Sequence, residues 1–268
     1  MHRASASAAT RLSGATSRLG QDGDVLPPLP SRRVPPIGFA HRGARADAPE
    51  NTLEAFTLAR RLGATGLESD VWITADGEAV LDHDGVVRVG VRRRQIAELR
   101  RRDLPPHIPT LAELYETCGT DAELSLDVKD PAAASTVVAV AREAGGDALA
   151  RLWLCSPDWE LAASWRGLSE DVHLVDSTRV KRIKEGLERR AAALADAGVD
   201  AVNLHWSEWS GGLVTLFHRF ERDALGWDAQ YRRQLDALLA MGIDGVFSDH
   251  VERMVDALAG RPAAPEPE

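Results

Sequence analysis

What most restricts the folding of this chain is a repeated alternation of short β-rich apolar runs with amphipathic helical ones. The β-rich runs fall at 37–40, 66–71, 124–128, 152–155, 172–175, 201–204, 224–227 and 245–248. Helical periodicity fills most of the intervals, at 53–62, 111–118, 132–144, 184–197, 213–220 and 232–241. Strand–helix alternation on this scale calls for a parallel sheet with helices packed against it. One further run, 79–81, follows the second strand after an Asp76-Gly77 turn. So short a connection cannot cross over to a parallel neighbour, which takes about a dozen residues, so this run is the return arm of an antiparallel hairpin. Setting it aside leaves eight parallel candidates, the number that closes an α/β TIM (β/α)8 barrel. A doubly wound open sheet is the alternative. It would carry a glycine-rich phosphate loop after its first strand, and no G-x-G-x-x-G or Walker pattern occurs here.

A chain of 268 residues fits one barrel domain better than two small domains, and 44% apolar residues can supply its core. The barrel domain is expected over residues 34–260. Residues 1–33, rich in Ala, Ser, Arg and Pro, read as a disordered extension, and 261–268, with three prolines, as a loose tail. The first segment could pass for a transit peptide but has no apolar core of a secretory signal, so a cytoplasmic location is expected. No apolar run approaches the ~18–20 residues that span a bilayer, so stable membrane insertion is not expected. A net charge of −9 makes nucleic acid a poor partner. It does not exclude an anionic small molecule, because a bound cation reverses the local field. The two cysteines, Cys118 and Cys155, read as small apolar residues rather than a disulfide.

Side chains two apart on a strand share a face. Glu68 and Asp70 therefore point together near the end of the second strand, and Asp127 and Lys129 do so at the end of the third. Barrel active sites collect at the C-terminal ends of strands, so these groups can converge. Three carboxylates brought together repel one another and need a cation, and all-oxygen ligation points to Mg²⁺ or Ca²⁺ rather than Zn²⁺. The plainer readings are a solvated strand face for Glu68 and Asp70 and an internal ion pair for Asp127 and Lys129. His41 ends the first strand and His83 ends the hairpin arm. Two imidazoles can divide the proton transfers of phosphodiester cleavage, one taking the nucleophile's proton and the other protonating the leaving alkoxide. Arg42 and Lys129 could hold the phosphate oxygens.

These residues belong to an ordered set of motifs. His41-Arg42-Gly43, Pro49-Glu50-Asn51-Thr52, Glu68-x-Asp70, Asp76-Gly77 and His83-Asp84 are followed by Pro109-Thr110-Leu111, Asp127-Val128-Lys129 and Gly242-Ile243-Asp244-Gly245. In order and spacing the set resembles the glycerophosphodiester phosphodiesterases, which are related to the barrel-type phosphoinositide phospholipases C. The resemblance covers roughly residues 37 to 256. It implies a barrel that hydrolyses a small-molecule glycerophosphodiester to glycerol phosphate and an alcohol. By the same resemblance His41 and His83 are acid and base, and Glu68, Asp70 and Asp127 hold the divalent cation. Lys129 and Arg42 then meet the phosphate, and Glu50 supports the metal site.

The chain also departs from that pattern. Asp127 stands where the family usually has Glu, a reach shorter by about 1.5 Å. Trp227-Asp228-Ala229-Gln230 and Ser248-Asp249-His250-Val251 replace the usual runs after the late strands, where the alcohol part of a substrate would sit. Trp227 is a candidate to stack on that part, as are Trp72, Trp206 and Trp209, with buried packing the alternative. His107, His173, His205, His218 and His250 lack a constellation and read as structural or surface residues. The small insertion common after the His-Asp pair is missing. The arginines at 92–94 and 100–102 read as a solvated helix face, with a membrane phosphate surface the alternative. A lysophospholipase D-like activity and a non-catalytic phosphodiester-binding barrel are the competing functions.

Overall fold

The computed structural model describes residues 28–261. Eight parallel strands form the barrel: β1 (Ile37–Ala40), β2 (Gly66–Ile73), β6 (Glu123–Val128), β7 (Leu152–Ser156), β8 (His173–Ser177), β9 (Ala201–His205), β10 (Asp223–Trp227) and β11 (Gly245–Ser248). Each pairs with its neighbour in parallel, and β1 closes the ring by pairing with both β11 and β2. Helices α1 (Leu53–Arg61), α2 (Leu111–Cys118), α3 (Ala133–Ala144), α4 (Trp159–Ser164), α5 (Leu187–Asp196), α6 (Gly211–Arg219), α7 (Arg232–Ala240) and α8 (Val251–Leu258) lie between successive strands and after the last. The open-sheet alternative is thus excluded by closure at β1. No helix among the described residues is long and apolar enough to cross a membrane.

Strand alternation sorts the core into two layers. Leu67, Val71, Leu124, Leu126, Leu152 and Leu154 face outward and pack with the helices, where most of the apolar burial lies. Ile37, Phe39, Trp153, Cys155, Val175, Leu225 and Phe247 fill the barrel interior. Phe39 stacks on Phe247, with centroids 4.5 Å apart, and meets Trp153 edge-on. The same period-two register carries Glu68, Asp70, Ser125 and Asp127 onto the inner face, above this apolar plug. His41 follows Phe39 on that face by one further step of two.

The antiparallel excursion is present. β3 (Ala79–Leu81) pairs with β2 from Val71↔Leu81 to Ile73↔Ala79. Beyond it, the arginine-rich stretch differs from the expected helix face. Arg92–Gln95 is a strand, β5, paired antiparallel with β4 (Val86–Val89), and Arg101–Asp103 is a single 3₁₀ turn. The physical reason is a satellite core: Val80, Val87, Ile96, Leu99, Leu104 and Ile108 pack with Trp72. Their separations of 7, 9, 3, 5 and 4 positions keep no single helical period. Gly90, with φ +61°, makes the tight turn between the arms. α5 starts at Leu187 rather than at 184, because Gly186 at φ +94° is outside the helical region.

The N-terminal boundary also moves. Residues 1–27 and 262–268 lie outside the described residues, but 28–33, expected within the loose extension, pack across the N-terminal end of the barrel. The Leu29 amide donates to the Ala240 carbonyl, and Ser31 Oγ and the Arg32 amide donate to Asp244 Oδ1 at 2.8 and 2.6 Å. Arg32 and Arg33 both pair with Asp223, at 2.9 and 2.6 Å, and the Arg33 guanidinium lies over the Trp153 ring. Composition alone read this strap as loose because its partners are carboxylates about two hundred residues away in sequence.

Candidate active site

At the C-terminal mouth of the barrel a cavity of about 530 Å³ is lined by His41, Arg42, Glu68, Asp70, His83, Asp127, Lys129 and Trp227, among others. Of the site residues expected from the sequence, Glu50 does not line it, and of the candidate stacking tryptophans Trp227 does while Trp72, Trp206 and Trp209 do not. The Glu50 carboxylate is at the rim, paired with Arg42 Nη1 at 3.0 Å and Arg45 Nε at 3.0 Å. It touches the site through Arg42, whose Nε lies 3.3 Å from Asp70 Oδ2.

The first loop is built by backbone conformations that few residues accept. Arg42 and Gly43 are both left-handed, with φ +52° and +78°. A Cβ on Gly43 would come within 2.7 Å of the Ala55 backbone, so the loop can lie this close to α1 only with glycine there. The turn aims the Arg42 amide at Glu68 Oε2, 2.9 Å away. The Pro49-Glu50-Asn51-Thr52 run has a matching local logic. Thr52 caps α1 by accepting from the Ala55 amide, and Asn51, itself at φ +55°, links Ser69 Oγ at 2.7 Å to Asp70 Oδ2 at 3.3 Å. Three left-handed non-glycine residues, Arg42, Asn51 and Asp228, sit around this one site, a concentration expected where surrounding contacts over-determine the backbone.

Glu68, Asp70 and Asp127 present ligand-capable oxygens that all lie within 4.8 Å of one another. Their donor set fits a hard divalent cation. The electrostatics point the same way. Burial, with repulsion from Asp70 and Asp127 and only partial relief from His41, pushes the Glu68 carboxyl up to about 8. Burial and Asp70 likewise raise Asp127, against the pull of Lys129. A carboxyl whose charge burial and like-charged neighbours disfavour, as they do for Glu68, is one that gains most from a cation. Lys129 supplies part of the compensation, with Nζ 2.8 Å from Asp70 Oδ1 and 3.1 Å from Asp127 Oδ2. Burial opposes its charge, but Asp127 and Asp70 prevail and hold its pKa above the usual lysine range.

Both histidines are anchored through Nδ1 by a carboxylate. Asp249 Oδ1 lies 2.6 Å from His41 Nδ1, and Asp84 Oδ1 lies 2.8 Å from His83 Nδ1. Each arrangement leaves Nε2 available to the cavity, and His41 Nε2 is 3.8 Å from Glu68 Oε2. Burial disfavours charge on His41, but Glu68 and Asp249 outweigh it and raise its pKa. Gly85 at φ +67° turns the chain after the His83-Asp84 pair, where a Cβ would strike the Trp72 ring at 2.4 Å.

Several groups here were not singled out from the sequence. Asp249 was visible as a residue but not as a partner of His41. The missing signal was closure itself, since β1 and β11 run in register from Ile37↔Gly245 to Ala40↔Ser248, placing the next residue of each side by side. Asn203 Oδ1 is buried among the cavity-lining groups without a hydrogen-bond donor. His205, read as structural or surface, contacts Asp228 Oδ2 through Nε2 at 3.1 Å and packs edge-on against Trp227. Trp227 lines the cavity with the Arg179 guanidinium 5.3 Å from its ring centroid.

Comparison with known proteins places this geometry in context. The model of the Glycerophosphoryl diester phosphodiesterase family matches residues 41–253. The chain is 38% identical over 135 residues to the bovine (Bos taurus) protein named Glycerophosphodiester phosphodiesterase 1, a match covering 41% of each chain. It is 35% identical over 107 residues to a Glycerophosphodiester phosphodiesterase of Caldanaerobacter subterraneus, covering 34% of this chain and 44% of that one. These matches thus span less than half the length of either curated relative. Among solved structures, a glycerophosphodiester phosphodiesterase of Thermotoga maritima superposes with a TM-score of 0.71 at 23% identity, over 82% of this chain and 97% of that one. An Oleispira antarctica phosphodiesterase, solved with the product sn-glycerol-3-phosphate, gives 0.71 at 23% identity, over 84% and 97%. Both structural likenesses establish the barrel fold.

Proposed function

Because the chain belongs to the Glycerophosphoryl diester phosphodiesterase family, we propose that it hydrolyses glycerophosphodiesters to glycerol phosphate and an alcohol, with a divalent cation, Mg²⁺ or Ca²⁺, held by Glu68, Asp70 and Asp127. The observation that carries this reading is the pair of Nδ1-anchored histidines lining one cavity with the acidic triad. The cation, when bound, supplies charge that offsets the phosphate and the carboxylates. The residues of the chain do the rest. Lys129 and Arg42 orient the diester's anionic oxygens. One histidine takes the proton from the attacking oxygen as it bonds to phosphorus. The other delivers a proton to the alcohol oxygen as its bond to phosphorus breaks. Asp249 and Asp84 fix which ring nitrogen faces the reaction.

The attacking oxygen is water or a hydroxyl of the substrate itself. Recovery of a cyclic phosphate ahead of glycerol phosphate would exclude direct attack by water. The product bound by the Oleispira antarctica relative is the one expected here. Trp227 and Phe247 are the apolar side chains of the described cavity lining, which supports a water-soluble diester over a lysolipid, whose acyl chain needs a longer apolar surface. The acid–base pair likewise favours an enzyme over a binding barrel.

The test is glycerol phosphate release from glycerophosphocholine with Mg²⁺, with Ca²⁺ and with chelator. Release that requires one of the cations supports the reading. Absence of release with either cation, from this diester and from lysophosphatidylcholine, would overturn it in favour of a binding protein.

A further inference from the structure

The cavity has a second charged face that the proposed hydrolysis leaves unused. The end of β8 and the segment following it line it with Ser177, Thr178, Arg179, Lys181 and Arg182. β8 stands four strands from β1 in either direction round the closed ring, so this segment faces the His41 side across the barrel mouth. The chain as a whole is acidic, with 41 acidic residues against 32 basic ones, so a local cluster of cations runs against its overall balance.

The charges on that face do not cancel. Arg179 Nε is taken by Glu208 Oε1 at 3.1 Å. The acidic lining residue on this side, Asp228, is engaged by His205 Nε2 and Gln230 Nε2, each at 3.1 Å. Lys181 and Arg182 are exposed, and among the described residues neither has a carboxylate within the 4.0 Å of an ion pair. Ser177, Thr178 and Asn203 add polar but uncharged groups. By contrast, Arg42 after β1 and Lys129 after β6 are already bound to Asp70, Asp127 and Glu50. The unspent positive charge of the cavity is therefore at the end away from the triad.

We propose that Lys181 and Arg182 select diesters whose alcohol carries a second anionic group, a phosphomonoester or a carboxylate, over diesters of a cationic alcohol. The inference rests on the proposed hydrolysis. With the diester phosphate at the triad, one arm of the substrate extends across the mouth. Glycerol is uncharged, so the anion that meets the cations belongs to the alcohol. The two cations are exposed and hydrated, so each contributes a few-fold and the pair gives a preference on the order of tenfold.

The experiment compares kcat/KM for glycerophosphoinositol 4-phosphate, glycerophosphoinositol and glycerophosphocholine, which differ in the charge of the alcohol. The wild type prefers the phosphorylated substrate by about tenfold over the neutral one, and choline ranks last. In K181Q/R182Q that preference falls to about twofold or less, with an unchanged melting temperature, and raised salt has the same effect on the wild type. Equal kcat/KM for the three substrates in the wild type overturns the inference while leaving the hydrolysis intact. So does an equal loss for all three in K181Q/R182Q, since that would mean the cations only steer the shared diester phosphate. No turnover of any diester overturns both readings together.

Discussion

Replacing Asp249 tests how His41 is held. Its Oδ1 lies 2.6 Å from His41 Nδ1, and the two groups shift in the sense of a stabilised charge pair. Burial would raise the Asp249 carboxyl, but the His41 hydrogen bond and charge bring it below the usual carboxylate range, while His41 is raised. A hydrogen bond to a charged group contributes roughly 1.5–3 kcal/mol, and each ~1.4 kcal/mol in a barrier is tenfold in rate. If the bond is made fully only when His41 is correctly aimed, D249A lowers kcat by about ten- to a hundredfold with little change in KM. D249N keeps an acceptor for the Nδ1 proton but loses the charge, so it falls between D249A and wild type. The Asp249 amide still reaches Gln230 Oε1, 2.9 Å away, so the loop after β11 keeps its anchor in both variants. Steady-state kinetics on glycerophosphocholine with saturating cation, and melting temperatures for each variant, make the measurement. Wild-type kcat in D249A, or a rise in KM with kcat unchanged, would refute a positioning role for Asp249.

The cation site and the opposite end of the barrel each give a further prediction. Mg²⁺ or Ca²⁺ raises the melting temperature of the wild type, by an amount equivalent to about 2.7 kcal/mol at a concentration a hundredfold above its Kd. E68Q and D70N abolish that shift in a thermal melt without added substrate, and an unchanged shift would place the cation elsewhere. At the other end of the barrel, Asp244 is fully buried and accepts from His218 Nε2 at 2.7 Å, the Ala224 amide at 2.7 Å and Ser31 Oγ at 2.8 Å. Burial alone would raise its pKa, but these donors bring it below 3.8, so its stabilisation is complete above that value and is lost as pH falls further. D244N therefore costs about 2–4 kcal/mol at pH 7 and less in acid below the ordinary carboxylate pKa, read from denaturant unfolding at both pH values. A cost that does not shrink in acid would assign the loss to packing rather than charge.

The legibility of this chain follows the range of each interaction. The barrel could be read because strand and helix periods are local, and Glu68, Asp70, Asp127 and Lys129 could be brought together because a period of two fixes their face. Their convergence needed only the rule that barrel sites lie at strand ends. Asp249 could not be paired with His41 without knowing that the first and last strands are neighbours. Asn51 lies within a motif, but nothing local marks it as the brace of Ser69 and Asp70. The strap at 28–33 escaped because its composition is that of a loose segment and its partners, Asp223 and Asp244, lie across the chain. The fold of the stretch at 92–102 is not legible because arginine content says little about period, whereas Val87, Ile96, Leu99 and Leu104 carry the packing. The cations at 181 and 182 become informative only once the cavity shows which charges are already matched.

The most direct test of the account is single-turnover and steady-state release of glycerol phosphate by H41A and H83A beside the wild type. Both variants should retain the cation-induced rise in melting temperature, because neither residue is in the acidic triad. The account predicts that each loses turnover by at least about a hundredfold, the usual contribution of a positioned acid or base. Wild-type turnover in either variant, with cation binding intact, would contradict the assignment of this histidine pair and move the chemistry to other groups in the cavity.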